Sequence, residues 1–128
     1  MKKLVLVLFA IFLMGGCFAK KVDVLSKVLD NTYSLENVIE ESQIDVFFQK
    51  EKIVGNSGVN RYFATYKIDG DKISVGEIGT TRMMGPENLM LQEQGYLKNL
   101  KEAQEVRITE NGIRIVTKSG VELNFVKK

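Results

Sequence analysis

Apolar side chains alternate with polar ones along most of the chain after its first 30 residues, and this two-residue period constrains the fold more than any other feature. In QIDVFFQ, Ile44, Val46 and Phe48 fall on one side, and YFATYKI repeats the pattern. The period predicts half-buried strands, because successive side chains of a strand point to opposite faces. Asp69-Gly70 separates YFATYKI from KISVGEI, which is typical of a tight hairpin.

Three strand-like segments near the C-terminus extend the same pattern. EVRIT, GIRIVT and VELNFV are separated by Asn111-Gly112 and Ser119-Gly120, two turn-forming pairs. Six apolar residues of these segments are predicted to share one face: Ile108, Ile113, Ile115, Val121, Leu123 and Phe125. A sheet with one apolar side must curve or close to cover that side. The predicted fold class is therefore mainly β (α+β), as a small antiparallel β-barrel or a strongly curved sheet.

One segment, GPENLMLQEQGYLKNLKEA, breaks the alternation and has the period of a helix. Pro86 suits a first helical position, and Glu87 suits the positive end of a helix dipole. At about 100° per residue, one stripe of this helix holds five apolar residues: Leu89, Tyr96, Leu97, Leu100 and Ala103. We therefore expect a single α-helix over about 86–103 that packs on the sheet.

Glu93 falls inside this apolar stripe, where its carboxylate is predicted to be buried. An ionised carboxylate in such a place costs several kcal/mol unless it is paired or hydrogen-bonded. The predicted partners are the guanidinium groups of Arg82 or Arg61, or backbone N–H groups of the loop at 58–62. A catalytic acid would need a second titratable group and a cleft. We therefore predict that Glu93 holds the structure together and takes no part in catalysis.

The first 16 residues have the pattern of a bacterial lipoprotein signal peptide. Lys2 and Lys3 precede eleven uncharged, mostly apolar residues, and LMGGC resembles the lipobox, in which small residues precede a lipid-modified cysteine. The apolar core would span about 16 Å as a helix, roughly half the hydrocarbon thickness of a bilayer. Cleavage after Gly16 would make Cys17 the lipid attachment site. An ordinary signal peptide, with a cysteine near the cut by coincidence, is the alternative.

Residues 17–30 are predicted to be a lipid-anchored tether, and residues 31–128 a single domain. Four apolar residues of the tether recur at helical spacing: Val22, Leu25, Val28 and Leu29. A short amphipathic helix and a flexible spacer both fit this pattern.

Removal of the signal peptide changes the charge balance of the chain. Lys2 and Lys3 are two of the 18 basic residues, so 16 basic residues remain against 16 acidic ones. Because no basic cluster stands out, nucleic acid is not a predicted partner. Cys17 is the single cysteine and the chain has no histidine, so we expect no intrachain disulfide, metal site, cofactor or catalytic residues. The protein is predicted not to be an enzyme.

Two stretches, GNSGVNRYFATY and GTTRMMGPENLMLQEQGYLKNL, resemble the META domain, the HslJ-like family of small bacterial envelope proteins. The resemblance runs from about Tyr33 to Phe125. The family pattern has a Gly-Cys-Asn-x-Tyr core, a Thr-x-Met-x-Cys segment, and a helix that carries Glu before an aromatic-Leu pair. The corresponding residues are Gly58, Val59, Asn60, Tyr62, Thr81, Met83, Gly85, Glu93, Tyr96 and Leu97. The resemblance implies a compact, mainly β, barrel-like fold.

Both cysteines of that family pattern are missing here, and Val59 and Gly85 stand in their places. The resemblance implies that the family's cysteine pair bridges the Asn-x-Tyr loop to the entry of the helix. It therefore implies that Val59 and Gly85 are former disulfide positions and face each other.

Five residues of these motifs have more hydrogen-bonding capacity than a core needs: Asn60, Arg61, Tyr62, Thr81 and Arg82. One interpretation is a recognition surface. The other, which we favour, is that these side chains tie two loops together.

The sequence favours a non-catalytic envelope lipoprotein that binds an envelope protein or supports envelope assembly or the response to envelope stress. An inhibitor of an exported hydrolase, or a carrier of a small apolar ligand, is the alternative. Exposed Arg61 and Tyr62 at a loop tip would favour the inhibitor, and an open apolar cavity would favour the carrier. Phe18 stands after the anchor where Asp would indicate inner-membrane retention, so we expect the periplasmic side of the outer membrane if the host has two membranes.

Overall fold

The computed structural model describes residues 23–128. It contains two helices and eight strands, which we number in chain order. Their bounds are α1 Val24–Val28, β1 Thr32–Leu35, β2 Asp45–Gln49, β3 Lys52–Asn56, β4 Arg61–Asp69, β5 Lys72–Thr80, α2 Glu87–Lys101, β6 Ala103–Ile108, β7 Gly112–Thr117 and β8 Glu122–Lys127.

The eight strands form a closed antiparallel barrel in which each strand pairs with the next along the chain. Closure comes from β1 and β8, where Tyr33 lies opposite Lys127 and Leu35 lies opposite Phe125. The predicted fold class is confirmed, and of its two forms the closed barrel is the one observed. Since closure pairs the first strand with the last, the fold has no free edge at the chain's ends.

The two-residue period places alternate side chains inside the barrel, as the sequence predicts. Ile44, Val46 and Phe48 are buried, and β4 buries every second residue from Tyr62 to Tyr66. Aromatic rings meet edge to face within this core: Tyr33 with Phe48, Phe48 with Tyr66, Tyr62 with Tyr96, and Tyr96 with Phe125. The interior is thus filled by packed rings.

Two of the six residues predicted to share the C-terminal apolar face are not buried. Ile108 and Val121 are each 40% exposed, whereas the other four are core residues. Ile108 lies opposite Ile113 at the last position of β6, so it sits at the rim of the barrel. Val121 precedes β8, where its backbone bonds to Thr117 across a tight turn. Both exceptions lie at strand ends, where the barrel no longer covers the side chain.

The two helices lie at opposite ends of the barrel. In an antiparallel meander, odd-numbered strands begin at one end and finish at the other. We call the end where β1 begins the lower end, and the end where β5 finishes the upper end. α1 precedes β1 and contacts β4 and β6 at the lower end, whereas α2 connects the finish of β5 to the start of β6 at the upper end.

α2 is slightly shorter than predicted. Pro86 is its N-cap residue and the helix ends at Lys101, after which the backbone N–H of Glu102 bonds to carbonyl groups of the last turn. Ala103, predicted on the helical stripe, is instead the first residue of β6 and lies opposite Thr117. Tyr96 and Leu100 are buried by this helix, as predicted.

α1 packs as part of the barrel. Val24 and Val28 are 3% and 0% exposed and belong to the hydrophobic core, while Leu25 faces solvent. Asp23 caps the helix by accepting a hydrogen bond from the backbone N–H of Ser26. The folded unit thus includes residues ahead of residue 31, where the sequence predicted the domain to begin. Val22, Cys17 and the signal peptide lie outside the described residues. Within residues 23–128, no helix is both long and apolar enough to span a membrane.

Gly95 lies in the middle of α2 with no structural need for glycine. A methyl group built at this position would meet no atom within 4 Å, and Gly95 has no positive φ. Glycine in a helix interior costs about 1 kcal/mol relative to alanine. We expect Gly95→Ala to raise the free energy of unfolding by about 1 kcal/mol, measured by urea denaturation. Unchanged or reduced stability would show that the backbone at this position needs glycine.

Candidate functional site

The motif residues assemble at the upper end of the barrel. Three segments meet there: the loop at 57–60 between β3 and β4, the segment at 81–86 between β5 and α2, and α2 itself. α2 is also tied to the loop between β1 and β2, since Gln92 accepts a hydrogen bond from the backbone N–H of Ile39 and donates one to the hydroxyl of Ser42.

Glu93 is the centre of this assembly. Its side chain is 4% exposed and its carboxylate accepts four hydrogen bonds. Oε1 accepts from the hydroxyl of Ser57 at 2.6 Å and from the backbone N–H groups of Val59 and Asn60 at 3.2 and 2.7 Å. Oε2 accepts from the amide Nδ2 of Asn60 at 2.8 Å. The carboxylate thus pins α2 to the 57–60 loop.

Asn60 connects Glu93 to the second loop. Its Oδ1 accepts a hydrogen bond from the backbone N–H of Met83 at 2.6 Å and one from the hydroxyl of Thr81 at 2.8 Å. Its Nδ2 donates to the carbonyl of Met83 at 3.2 Å in addition to Glu93. Since Oδ1 must face two donors and Nδ2 two acceptors, only one orientation of this amide satisfies all four contacts.

The cluster is fully satisfied. The backbone N–H of Ser57 already donates to the carbonyl of Asn60, and Glu93 is the charged acceptor for the Ser57 hydroxyl. Among residues 23–128, every buried side-chain nitrogen and oxygen has a hydrogen-bond partner. Full satisfaction is what makes a buried ionised carboxylate tolerable.

The pKa of Glu93 reflects this balance. Desolvation by burial, the largest single influence, raises the pKa of the carboxyl. The hydrogen bonds from Ser57, Asn60 and Val59 together outweigh it and hold the pKa of Glu93 below its ordinary value. Glu93 is therefore ionised at neutral pH and is a weak base.

Two buried tyrosines lie beside this cluster. The hydroxyl groups of Tyr62 and Tyr96 are 2.7 Å apart, and Tyr62 donates to the carbonyl of Asp45. Desolvation by burial raises the pKa of both tyrosines far above the ordinary value. Both phenols therefore stay neutral and serve as hydrogen-bonding core residues.

The predicted site residues divide into two groups. Asn60 and Thr81 tie the loops together through their side chains, as in the favoured interpretation. Arg61 and Arg82 are exposed, and neither guanidinium bonds to Glu93; the backbone N–H groups of Val59 and Asn60 do so instead. The arginine partners predicted for Glu93 are wrong because both side chains point to solvent.

Tyr62 also differs from its predicted place. It is 1% exposed and lies in the core, so it does not form an exposed loop tip with Arg61. Its position on β4 explains this, because it belongs to the inward-facing set of that strand. Ser57 is the functional residue that sequence reasoning missed, although a hydroxyl beside Gly58 is a typical turn residue able to donate to a carboxylate.

Val59 and Gly85 are in contact across the two loops. A Cβ atom built on Gly85 would lie 3.5 Å from Cβ of Val59, and 2.8 and 3.0 Å from its two methyl groups. Valine fills the space that a side chain at Gly85 would need. The juxtaposition implied by the family resemblance is therefore present.

The arrangement holds three segments of the chain together. Glu93, the one buried carboxylate among residues 23–128, accepts four hydrogen bonds, and its lowered pKa makes it a poor proton acceptor. Among the described residues, no group of three acidic, histidine or cysteine side chains is placed to hold a metal ion.

Comparison with known proteins places the chain in a family. The sequence profile of the META domain matches residues 26–128, which is most of the chain. The chain belongs to the META domain family. The residues that carry the META pattern are the ones that meet at the upper end, where Asn60 and Glu93 join the three segments.

Two solved structures share the fold of this META domain. A protein from Burkholderia xenovorans, solved by NMR, is 20% identical, with a TM-score of 0.70 over 81% of this chain and 86% of that one. A second protein solved by NMR is 19% identical, with a TM-score of 0.67 over 82% of this chain and 95% of that one. No curated protein matches this chain. At these identities the likeness shows the fold alone.

Proposed function

We propose that this META domain protein is a non-catalytic envelope lipoprotein that is held at the membrane through Cys17 and acts by binding an envelope protein. In a host with two membranes, its place is the periplasmic side of the outer membrane. It needs no cofactor. Support of envelope assembly or of the stress response would follow from that binding.

The observation that carries the binding role is the segment at 82–84. Met83 and Met84 are 59% and 87% exposed, and Arg82 is also exposed. Yet the backbone of Met83 is fixed at both its N–H and its carbonyl by the side chain of Asn60. A loop that is rigidly held while it presents methionines to solvent suits protein recognition, because flexible thioether side chains adapt to an apolar partner.

The alternatives receive less support. An inhibitor was expected to expose both Arg61 and Tyr62 at a loop tip, but Tyr62 lies in the core. Arg61 and Arg82 are exposed, so an exported hydrolase stays among the candidate partners. A carrier would need an open apolar interior, and edge-to-face rings such as Phe48 and Tyr66 fill the barrel.

The binding role is tested by photo-crosslinking in intact cells, with a photoreactive residue at position 84. The matched control places it at Glu110, an exposed residue between β6 and β7 at the lower end. We expect an envelope protein to be captured through position 84 and not through position 110. Equal capture at both positions, or none at 84, would contradict recognition by the 82–84 segment.

The anchor is tested separately through Cys17. Cys17→Ser is expected to abolish incorporation of labelled palmitate and to move the protein out of the membrane fraction, since two or more acyl chains make anchoring stable. Lys20→Ser, which keeps the cysteine, should leave both unchanged. Labelling that persists in Cys17→Ser would refute the anchor.

A further inference from the structure

The pairing between β5 and β6 is the shortest in the barrel. Lys72 lies opposite Glu105, and the backbone N–H of Val106 donates to the carbonyl of Asp71. Within the described residues no further register pair joins these strands. Beyond this pair β5 continues to Thr80 without a strand partner on that side, and α2 contacts β5 nearby. The upper part of β5 is therefore a sheet edge inside a nominally closed barrel.

The register shows which backbone groups lie on that edge. The N–H of Thr81 donates to the carbonyl of Arg61, so Tyr62 and Thr80 form a non-hydrogen-bonded pair. The backbone groups of Thr80, and by alternation those of Ile78, therefore point away from β4 towards α2. Val75 points the same way, since its carbonyl accepts from Nζ of Lys101 at 3.4 Å. Val75 and Thr80 are five residues apart, which is at most about 17 Å of extended chain, and the pairing with β4 has a register shift between them.

A groove of about 390 Å³ runs between this edge and α2. It is lined by Glu77, Ile78, Thr80, Leu97, Lys98 and Lys101. Ile78 and Leu97 are partly buried against the core and supply an apolar surface. Lys101 pairs with Glu77 at 3.4 Å, whereas Lys98 has no ion pair within residues 23–128. The groove thus combines free backbone groups, an apolar surface and an excess of positive charge.

We propose that an extended peptide segment of the partner protein docks in this groove by adding a strand to β5, with an acidic side chain towards Lys98. This inference rests on the proposed protein-binding function and names where and how the partner is recognised. Backbone pairing to Ile78 and Thr80 supplies affinity, and alternate side chains of the peptide contact the apolar surface of Ile78 and Leu97. Lys98 selects for acidic segments.

A second copy of the chain is a poorer occupant. Its own β5 edge is flanked by its own α2, so pairing two β5 edges would bring the two helices against each other. A single extended strand carries no such flank. Lys98 and Lys101 of the groove would also attract an acidic peptide, whereas a second copy would bring the same lysines towards them.

Hydrogen exchange measured by NMR on the full chain in detergent tests the edge first. We expect the amides of Ile78 and Thr80 to exchange rapidly and that of Gly79, which points to β4, to exchange slowly. Slow exchange at all three positions would show that the edge is already occupied, and would overturn the proposal.

Binding is tested with a display library of random twelve-residue peptides selected on the same protein. We expect enrichment of peptides that alternate acidic and apolar residues, and protection of the Ile78 and Thr80 amides when a synthetic copy of an enriched peptide is added. Thr80→Pro removes an edge N–H without touching the β4 ladder and should weaken binding at least tenfold, whereas Thr80→Ala should not. Lys98→Glu should weaken binding at least tenfold, and Lys52→Glu, the same charge change on β3, should leave it unchanged.

The outcomes separate this proposal from the broader one. If position 84 captures a protein in cells but no peptide protects the edge amides, protein binding stands and the groove proposal fails. Peptides that bind elsewhere, or a dimer in sedimentation whose contacts protect β5, would also overturn it. If peptides occupy the groove but no protein is captured in cells, recognition by the 82–84 segment fails and the groove remains.

Discussion

Replacing Glu93 with alanine is expected to lower the free energy of unfolding by about 2–5 kcal/mol, among the largest effects of a single substitution in this protein. The change removes the acceptor of four hydrogen bonds. The backbone N–H groups of Val59 and Asn60 lose their acceptor, whereas the Ser57 hydroxyl and Nδ2 of Asn60 keep the carbonyls of Asn60 and Met83. The measurement is urea denaturation at neutral pH. Gln94→Ala, the solvent-exposed neighbour, should change stability by less than about 0.5 kcal/mol.

The effects of substituting Glu93 and Asn60 on the free energy of unfolding should be strongly non-additive, because the two side chains are hydrogen-bonded to each other. In Glu93→Gln, the new amide NH₂ meets the Nδ2 donor of Asn60, which cannot turn because its Oδ1 serves Thr81 and Met83. In Asn60→Asp, two carboxylates face each other. The double variant restores a donor opposite an acceptor. We expect it to be more stable than Asn60→Asp alone and less destabilised than the sum of the single changes.

The Glu93 carboxylate should make the free energy of unfolding depend on pH in the acidic range. The folded state holds the pKa of Glu93 below its ordinary value of 4.5, so the unfolded chain binds the proton more readily. The contribution of Glu93 is complete above the unfolded pKa and is lost as the pH falls through the folded pKa. The stability difference between wild type and Glu93→Gln should therefore shrink below about pH 4.5. A difference that grows in acid would contradict an ionised, hydrogen-bonded Glu93.

The alternation of apolar residues was sufficient to predict the fold class and six of the eight strands, because successive side chains of a strand point to opposite faces. The short strands β1 and β3 were not predicted. β4 shows this most clearly, with Tyr62, Ala64 and Tyr66 buried in turn. Positions near strand ends were harder, since Ile108 has the period of a core residue but lies at the rim. The thin pairing of β5 with β6 has no local signal, because it depends on where α2 crosses the barrel.

The burial of Glu93 at the centre of the candidate site was predictable from the sequence, but the full set of its hydrogen-bond donors was not. A glutamate within an apolar stripe must find donors, so the sequence predicted the burial of Glu93 and the backbone donors of the 58–62 loop. It did not separate these donors from Arg61 and Arg82, because opposite charge is the more obvious partner in a sequence. The hydroxyl of Ser57 comes from a loop 36 residues away. The pairing of β3, β4 and β5 and the position of α2 after β5 bring it to Glu93.

A disulfide engineered at the contact between Val59 and Gly85 is expected to have the second large effect on stability. The double variant Val59→Cys with Gly85→Cys, in a Cys17→Ser background, is expected to form a disulfide under oxidising conditions. The 3.5 Å separation between Cβ of Val59 and a Cβ built on Gly85 lies at the short end of the range that disulfides need. The substitution also removes the two valine methyl groups that would crowd a side chain at position 85. Gly85 has no positive φ, so its backbone accepts cysteine without strain of that kind.

The bridge would close a loop of about 25 residues and should stabilise the oxidised protein by about 3 kcal/mol relative to the same variant after reduction. The comparison of oxidised and reduced forms of one chain isolates the bridge from the effect of the substitutions themselves. The bridge spans the 57–60 loop and the segment before α2, the same two segments that Asn60 and Thr81 already hold together. Because those hydrogen bonds keep the positions close in the reduced chain, the thiols should pair readily in air. Thiols that remain free under oxidising conditions would show that the two loops do not hold this contact in solution, and the implied correspondence with the family's cysteine pair would then be wrong.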